Sequence, residues 1–329
     1  MLLTTSAALS ARAESLASVP TSDQKIVNRW SLPGDPHGLA VGRDGTVYVG
    51  VAQPQAVMAI DASRGTVKRK VVLDSAEIAS TKELVTVRTD RAGTHLFVAN
   101  GSDESVTILA LPELKILREI TIEGEPIRDA LPDPKGRYLY LLGRRVHVYD
   151  AGGGSELRTL NFDEPMAIAA SANGSTLAVI GSQNGSTVVA LYNAATFEEL
   201  ARDPLQTDRP IESALFAADD RVLIALSREG LFEKRLLSAD VIHTERICLP
   251  VGSGPQIATL ASPDRLLFAE RRCSSSGAFV RSNRLVAPAS LYGVNAYALA
   301  YDRDSNLLYA TDRAGFLTVY RVPRASVVH

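Results

Sequence analysis

Five histidines, two cysteines and a scatter of carboxylates and arginines are the side chains of this 329-residue sequence with the chemistry for catalysis or ligation. Dedicated metal sites draw histidines into short spacings such as His-x-His or His-Glu-x-x-His. Here His37, His95, His147 and His243 stand far apart and His329 is the last residue, so no resident metal or other cofactor is expected. Cys-x-x-Cys-His is absent, which excludes covalent c-type haem, and no Gly-x-Ser-x-Gly elbow offers an activated serine. The run Gly152-Gly153-Gly154 opens no helical pattern and reads as a flexible hairpin, not a phosphate cradle. Two polar sets remain. One is His37, Arg128, Asp129, Glu212, Gln256, Asn295 and Tyr297, in which His37 and Glu212 are of the types that do acid–base work. The other is Arg271, Arg272, Arg281 and Arg284, which would dock an acidic partner or stand as solvated loop charges. Whether either set meets in space depends on the elements that carry it.

Composition narrows the class. Thirty-five Lys+Arg against 37 Asp+Glu give a net charge of −2, with both signs spread along the chain, which argues against a nucleic-acid binder or a polybasic membrane-surface protein. A hydrophobic content of 46% supports a packed core, and no stretch approaches the apolar length of a membrane-spanning helix. The opening MLLTTSAALSARAES is apolar and small, and Ala11-Arg12-Ala13 has the form of a signal-peptidase site. Residues 1–13 are therefore expected as a signal-peptide remnant, residues 14–23 as a linker, and the compartment as periplasmic or secreted.

The rest of the chain is a repeat. A polar turn followed by an apolar strand of about seven residues recurs as GTVYVGV, THLFVAN, RYLYLLG, STLAVIG, RVLIALS, RLLFAER and NLLYATD. The equivalent positions Val47, Leu96, Leu139, Leu177, Leu223, Leu267 and Leu308 are spaced about 43 residues apart, the length of a four-stranded propeller blade. Within a unit, LVTVRTD, THLFVAN, SVTILAL and ILREITIEG are separated by Gly, Asx and Ser turns too short to hold helices. The last unit has three strands, and KIVNRWSLPGD near the start resembles the fourth strand KILREITIEGE. The expectation is an all-β fold: a seven-bladed β-propeller of four-stranded antiparallel blades over residues 24–323, closed by the N-terminal strand in the last blade, with 324–329 as a tail.

The segment LFVANGSDESVTIL, followed by ITIEGEPIRDALPDPKGRYLYLLG, resembles the YVTN-type β-propeller repeat. The resemblance covers about residues 25–322 and weakens in the sixth unit, SPDRLLFAERRCSSSGAFVRSNRLVAP. It implies the propeller architecture and leaves function broad, since such propellers include ligand binders, surface proteins, lactonases and the cofactor-free heavy subunits of periplasmic amine dehydrogenases.

On a propeller the first strand of each blade lines the central channel. Aligned on the proline opening that strand (Pro36, Pro126, Pro165, Pro210 and Pro255), His37, Ile127, Met166, Ile211, Gln256 and Asn295 fall at one level of the channel mouth. Gly38, Arg128, Ala167, Glu212, Ile257 and Ala296 fall at the next, so that Arg128 and Glu212 face each other with Asp129 and Tyr297 nearby. Such a mouth holds a small polar or acidic molecule, or is simply a wet channel. Cys248 and Cys273 fall on adjacent blades near the same face. They form either two separate thiols or a disulfide closing a loop of about 25 residues, adding around 3 kcal/mol. The first expectation is a non-catalytic scaffold for a small polar or acidic ligand or a protein partner. A cofactor-free subunit of an amine dehydrogenase-like oxidoreductase is the second, and a lactonase-like hydrolase the third.

Overall fold

The computed structural model of the chain describes residues 14–18, 26–52, 54–73, 85–100, 104–152, 154–205, 210–217, 220–227, 231–237, 242–248, 258–262, 265–270, 289–292, 296–312 and 314–322. They form β-strands joined by turns. Before the first blade come β1 (Glu14–Ser15), β2 (Ala17–Ser18) and β3 (Ile26–Ser31). Blade 1 is β4 (Pro36–Val41), β5 (Val47–Ala52), β6 (Gln55–Asp61) and β7 (Thr66–Val72). Blade 2 is β8 (Val85–Thr89), β9 (His95–Asn100), β10 (Ser105–Ala110) and β11 (Lys115–Thr121). Blade 3 is β12 (Asp129–Pro132), β13 (Tyr138–Leu142), β14 (Val146–Asp150) and β15 (Glu156–Leu160). Blade 4 is β16 (Pro165–Ala170), β17 (Thr176–Gln183), β18 (Ser186–Asn193) and β19 (Glu199–Pro204). Blade 5 is β20 (Ile211–Ala217), β21 (Val222–Ser227), β22 (Leu231–Leu237) and β23 (Ile242–Cys248). Blade 6 is β24 (Ala258–Ser262), β25 (Arg265–Glu270) and β26 (Ala289–Tyr292). Blade 7 is β27 (Ala296–Asp302), β28 (Leu307–Asp312) and β29 (Phe316–Arg321), with β3 as its fourth strand.

Seven sheets result, and the repeat register holds in all of them. Val47, Leu96, Leu139, Leu177, Leu223, Leu267 and Leu308 each lie opposite the inner strand, at Val41, Thr89, Pro132, Ala170, Phe216, Thr259 and Tyr301. The second strands of blades 1, 3, 4, 5 and 7 are buried along nearly their whole length because each sheet is covered on both faces, which is why they read as continuous apolar runs. The fourth strands β7, β11, β15 and β19 are exposed or half-buried at nearly every residue and form the rim. Neighbouring blades share apolar layers: Tyr48 and Val57 pack with Leu96 and Val98, Phe97 and Val106 with Leu139 and Leu141, Tyr140 and Val148 with Leu177 and Val179, and Ile180 and Val189 with Leu223 and Ala225.

Blade 6 corrects the expectation of uniformly antiparallel four-stranded blades. Among the described residues it has three strands, and β26 runs parallel to β25, with Leu267 opposite Ala289. A parallel neighbour cannot be reached by a tight hairpin and needs a long crossing connection. The 18 residues between the two strands, 271–288, lie outside the described residues.

Among the described residues, the join between blades 7 and 1 carries ties that no other join has. Strand β3 pairs with β29 through Trp30 opposite Leu317 and Asn28 opposite Val319, so the fourth strand of the last blade does come from the N-terminal side. Trp30 donates its indole N–H to Ala62 O at 2.8 Å in blade 1 and lies over Gly65, where a Cβ would come within 2.5 Å of the ring. Residues 14–18, expected as linker, are a strap instead. β1 adds to the outer edge of β7 in blade 1, and β2 adds to the outer edge of β3 in blade 7. Between them Leu16 donates its N–H to Gly65 O at 2.7 Å and enters the apolar layer of Trp30, Val47, Met58, Leu317 and Val319.

Candidate functional site

The inner strands carry a shared irregularity at the end where the chain enters each blade. In blades 4, 5 and 7 the register slips by one residue, leaving Met166, Glu212 and Tyr297 as the extra residue of a β-bulge. In blade 1 the slip falls between Pro36 and Leu39, around His37. Arg128 sits at the corresponding point of blade 3, its N–H bonded to Leu142 O at 2.7 Å just before β12. A bulge turns a side chain out of the strand's alternation, and its repetition in four blades collects their side chains at one level, with Arg128 at the matching point of blade 3. His37, Arg128, Met166, Glu212 and Tyr297 are that level. It differs from the proline-based alignment by one residue: Ile211, not Pro210, pairs as Pro165 does, so Glu212 stands level with His37 and Met166 rather than one step below them. Ala296 takes the same paired place in blade 7, which puts Tyr297 at this level.

His37 and Tyr297 come together across the join of blades 1 and 7. Their rings stack with centroids 4.3 Å apart and 17° between planes. His37 is 2% exposed, and Thr311 of blade 7 donates its hydroxyl to the His37 carbonyl at 2.9 Å. Asp35 Oδ2 lies 3.2 Å from His37 Nε2, near enough for an ion pair once the ring is protonated but not aligned as a hydrogen bond. Arg128 is an exposed residue whose guanidinium is partly covered, and its Nη2 donates to Gly143 O at 2.8 Å and to Pro165 O on blade 4. Surrounding protein lowers its pKa, and the nearby Asp129 and Glu125 restore it only in part.

Sequence reasoning missed Arg88. It lies on β8, whose strand LVTVRTD has no opening proline, and it grips Asp129 of blade 3 with two bonds, Nε to Oδ1 at 2.8 Å and Nη2 to Oδ2 at 2.6 Å. Asp129 Oδ1 also accepts Ala130 N–H at 2.9 Å. Burial works against the Arg88 charge, and the carboxylate more than offsets it, holding the guanidinium above its ordinary value. Asp129 is therefore an inter-blade tie. Thr86 Oγ1, donating to Arg128 O at 2.7 Å, is another between the same blades. The signal available in sequence was a lone arginine at the fourth residue of an inner strand.

The opposite face is drawn together by the turns that follow the inner strands. Arg43 donates to Arg91 O at 2.7 Å, Arg137 to Gly174 O at 2.8 Å, and Asp220 accepts the N–H groups of Ala172 and Asn173 at 2.6 and 3.0 Å. Arg91 of blade 2 reaches Ala172 O of blade 4 at 3.2 Å, past blade 3.

The structure joins His37 to Tyr297 and places Arg128 and Glu212 at their level. Gln256, Asn295, Cys273, Arg271, Arg272, Arg281 and Arg284 lie outside the described residues, and Cys248 ends β23 opposite Leu231. Among the described residues no group of three His, Cys, Asp or Glu side chains gathers to hold a metal ion, and no helix is long and apolar enough to cross a membrane. His147 is held between Glu156 at 2.9 Å and Glu125 at 3.2 Å, which fastens the outer strand of blade 3 to the chain entering that blade.

No family model matches the chain, and no curated protein matches it. Solved structures do. The chain is similar to Kuenenia stuttgartiensis hydrazine synthase, with a TM-score of 0.69 and 16% identity over 92% of this chain and 99% of that one. It is also similar to the β-propeller domain of Myceliophteria thermophila Cps50 (Swd1), with a TM-score of 0.66 and 16% identity over 90% and 100%. At this identity the likeness establishes the β-propeller fold alone.

Proposed function

We propose that the chain is an exported, YVTN-like β-propeller that acts as a non-catalytic scaffold, taking a small polar or acidic ligand or a partner's polar side chain at the channel mouth. One observation carries this reading: bulges in blades 1, 4, 5 and 7 turn out an imidazole, a thioether, a carboxylate and a phenol, from His37, Met166, Glu212 and Tyr297, and the guanidinium of Arg128 stands at the corresponding point of blade 3. Recognition sites are built this way, from a few convergent polar groups on rigid strands. Catalysis would need a base and an acid aligned on one reacting atom, and the groups described here mainly tie blade to blade. Native mass spectrometry of the purified full chain tests the proposal. A small molecule retained by the wild type and released by Glu212→Gln and by Tyr297→Leu is the expected result. Retention that both substitutions leave unchanged, or no retained mass in the wild type, overturns it.

A further inference from the structure

The corner of the mouth between blades 3 and 4 carries more positive charge than its contacts neutralise. Both Nη2 hydrogens of Arg128 are taken by backbone carbonyls, those of Gly143 and Pro165, so the guanidinium is held in place without any carboxylate within ion-pair distance among the described residues. Its Nε–H and Nη1 hydrogens have no protein acceptor among those residues. The turn that carries Gly143 continues as Arg144 and Arg145, both exposed, and neither side chain has an ion-pair partner among the described residues. Glu125, the neighbouring carboxylate, is engaged elsewhere: it accepts Arg145 N–H at 2.8 Å and lies 3.2 Å from His147 Nε2. Asp129 is gripped by Arg88. An arginine orients on carbonyls at no charge-neutralising gain, and a guanidinium already oriented loses little freedom when an anion arrives.

We propose that this corner is an oxyanion site in which Arg128 anchors a carboxylate or phosphate group of a small ligand and Arg144 and Arg145 supply the surrounding positive field; the assignment rests on the channel-mouth reading and names the ligand's charged group. The lowered Arg128 pKa agrees with a cation short of counter-charge. Carboxylate and phosphate offer the same acceptors, and the experiment separates them.

Isothermal titration of the full chain with citrate and, separately, with inorganic phosphate, at matched ionic strength and pH 7, is the test. Binding of either anion is expected, with the tighter one identifying the group. Arg128→Gln is expected to weaken it about tenfold, the loss of one charge-assisted contact. Arg128 also links blades 3 and 4, so the double substitution Arg144→Gln/Arg145→Gln, which removes no inter-blade bond, is the second arm. It is expected to weaken binding several-fold and to flatten its salt dependence. Failure of both anions to bind, or affinities that neither set of substitutions changes, overturns the site. If a retained ligand still depends on Glu212 and Tyr297 in that case, the anion assignment falls and the channel-mouth reading stands.

Discussion

Asp90 shows how a single side chain in this fold acquires a pH dependence. Burial pushes its carboxyl up, but bonds from His95 Nδ1 and Thr94 Oγ1, both at 2.8 Å, and from the Thr94 and His95 N–H groups outweigh that and leave the pKa below the ordinary carboxylate value. A folded-state pKa below the unfolded one stabilises the protein at pH values above the unfolded pKa, and that contribution is lost as pH falls through the folded value. Asp90→Asn is therefore expected to cost about 1 kcal/mol at pH 7. The gap from wild type should narrow as pH falls below the ordinary carboxylate value of about 3.9 in denaturant titrations. A gap that stays constant down to the acid end would show that the carboxylate charge is not what the turn uses. At this scale the sequence was legible where a residue belonged to a repeated position and opaque where its role came from a neighbour in space. His37 and Tyr297 were both in the polar set, while their stacking across 260 residues of chain was not readable. Arg88 was passed over because nothing local distinguishes an arginine that grips the next blade's Asp129 from one that faces water.

At the scale of the element, the legible feature was the second strand. Burial on both faces leaves it apolar at nearly every residue in blades 1, 4, 5 and 7, and seven such runs in the sequence carried the expectation of blade number and register. The bulges were invisible, because one extra residue in a strand leaves no periodic trace; this is why the proline alignment placed Glu212 one step away from His37. The strap was invisible for a related reason, since two-residue strands have no alternation to read. Gly65 belongs to this scale as well. It closes the turn between β6 and β7 with φ of 65°, and its missing Cβ is the space that Trp30 fills. Gly65→Ala meets two objections together, a left-handed backbone and a collision with the indole, and is expected to destabilise by about 2–4 kcal/mol. Gly136→Ala supplies the control. Its φ is 71° with open space around it, so only the backbone cost of about 1 kcal/mol applies. Equal losses for the two variants, measured by urea unfolding, would remove Trp30 from the account.

For the whole molecule, the join between blades 7 and 1 holds contacts that no other pair of described blades has: a strand supplied from the far end of the chain, an indole hydrogen bond, and a strap whose two strands extend both outer edges. Leu16→Asp places a charge in the apolar layer between those edges, and it is expected to loosen the join without dissolving the blades opposite. Amide hydrogen exchange should quicken in β3, β7 and β29 and stay unchanged in β13, β14 and β17. Uniform quickening throughout the chain would mean the strap supports the whole structure and not this join. The same architecture imposes an order in time on the growing polypeptide. Blades 2, 3, 4 and 5 each consist of one uninterrupted stretch of chain and can assemble as soon as that stretch has been made. Blade 7 cannot, because its fourth strand β3 precedes its partner β29 by the length of six blades, with Arg29 and Asp312 separated by 283 residues. Closing so long a loop carries an entropy cost of about 5 kcal/mol that no local contact repays beforehand. A nascent chain halted before residue 316 carries β3 with its Trp30 face uncovered, and that strand is where a chaperone, or an aggregate, would first take hold.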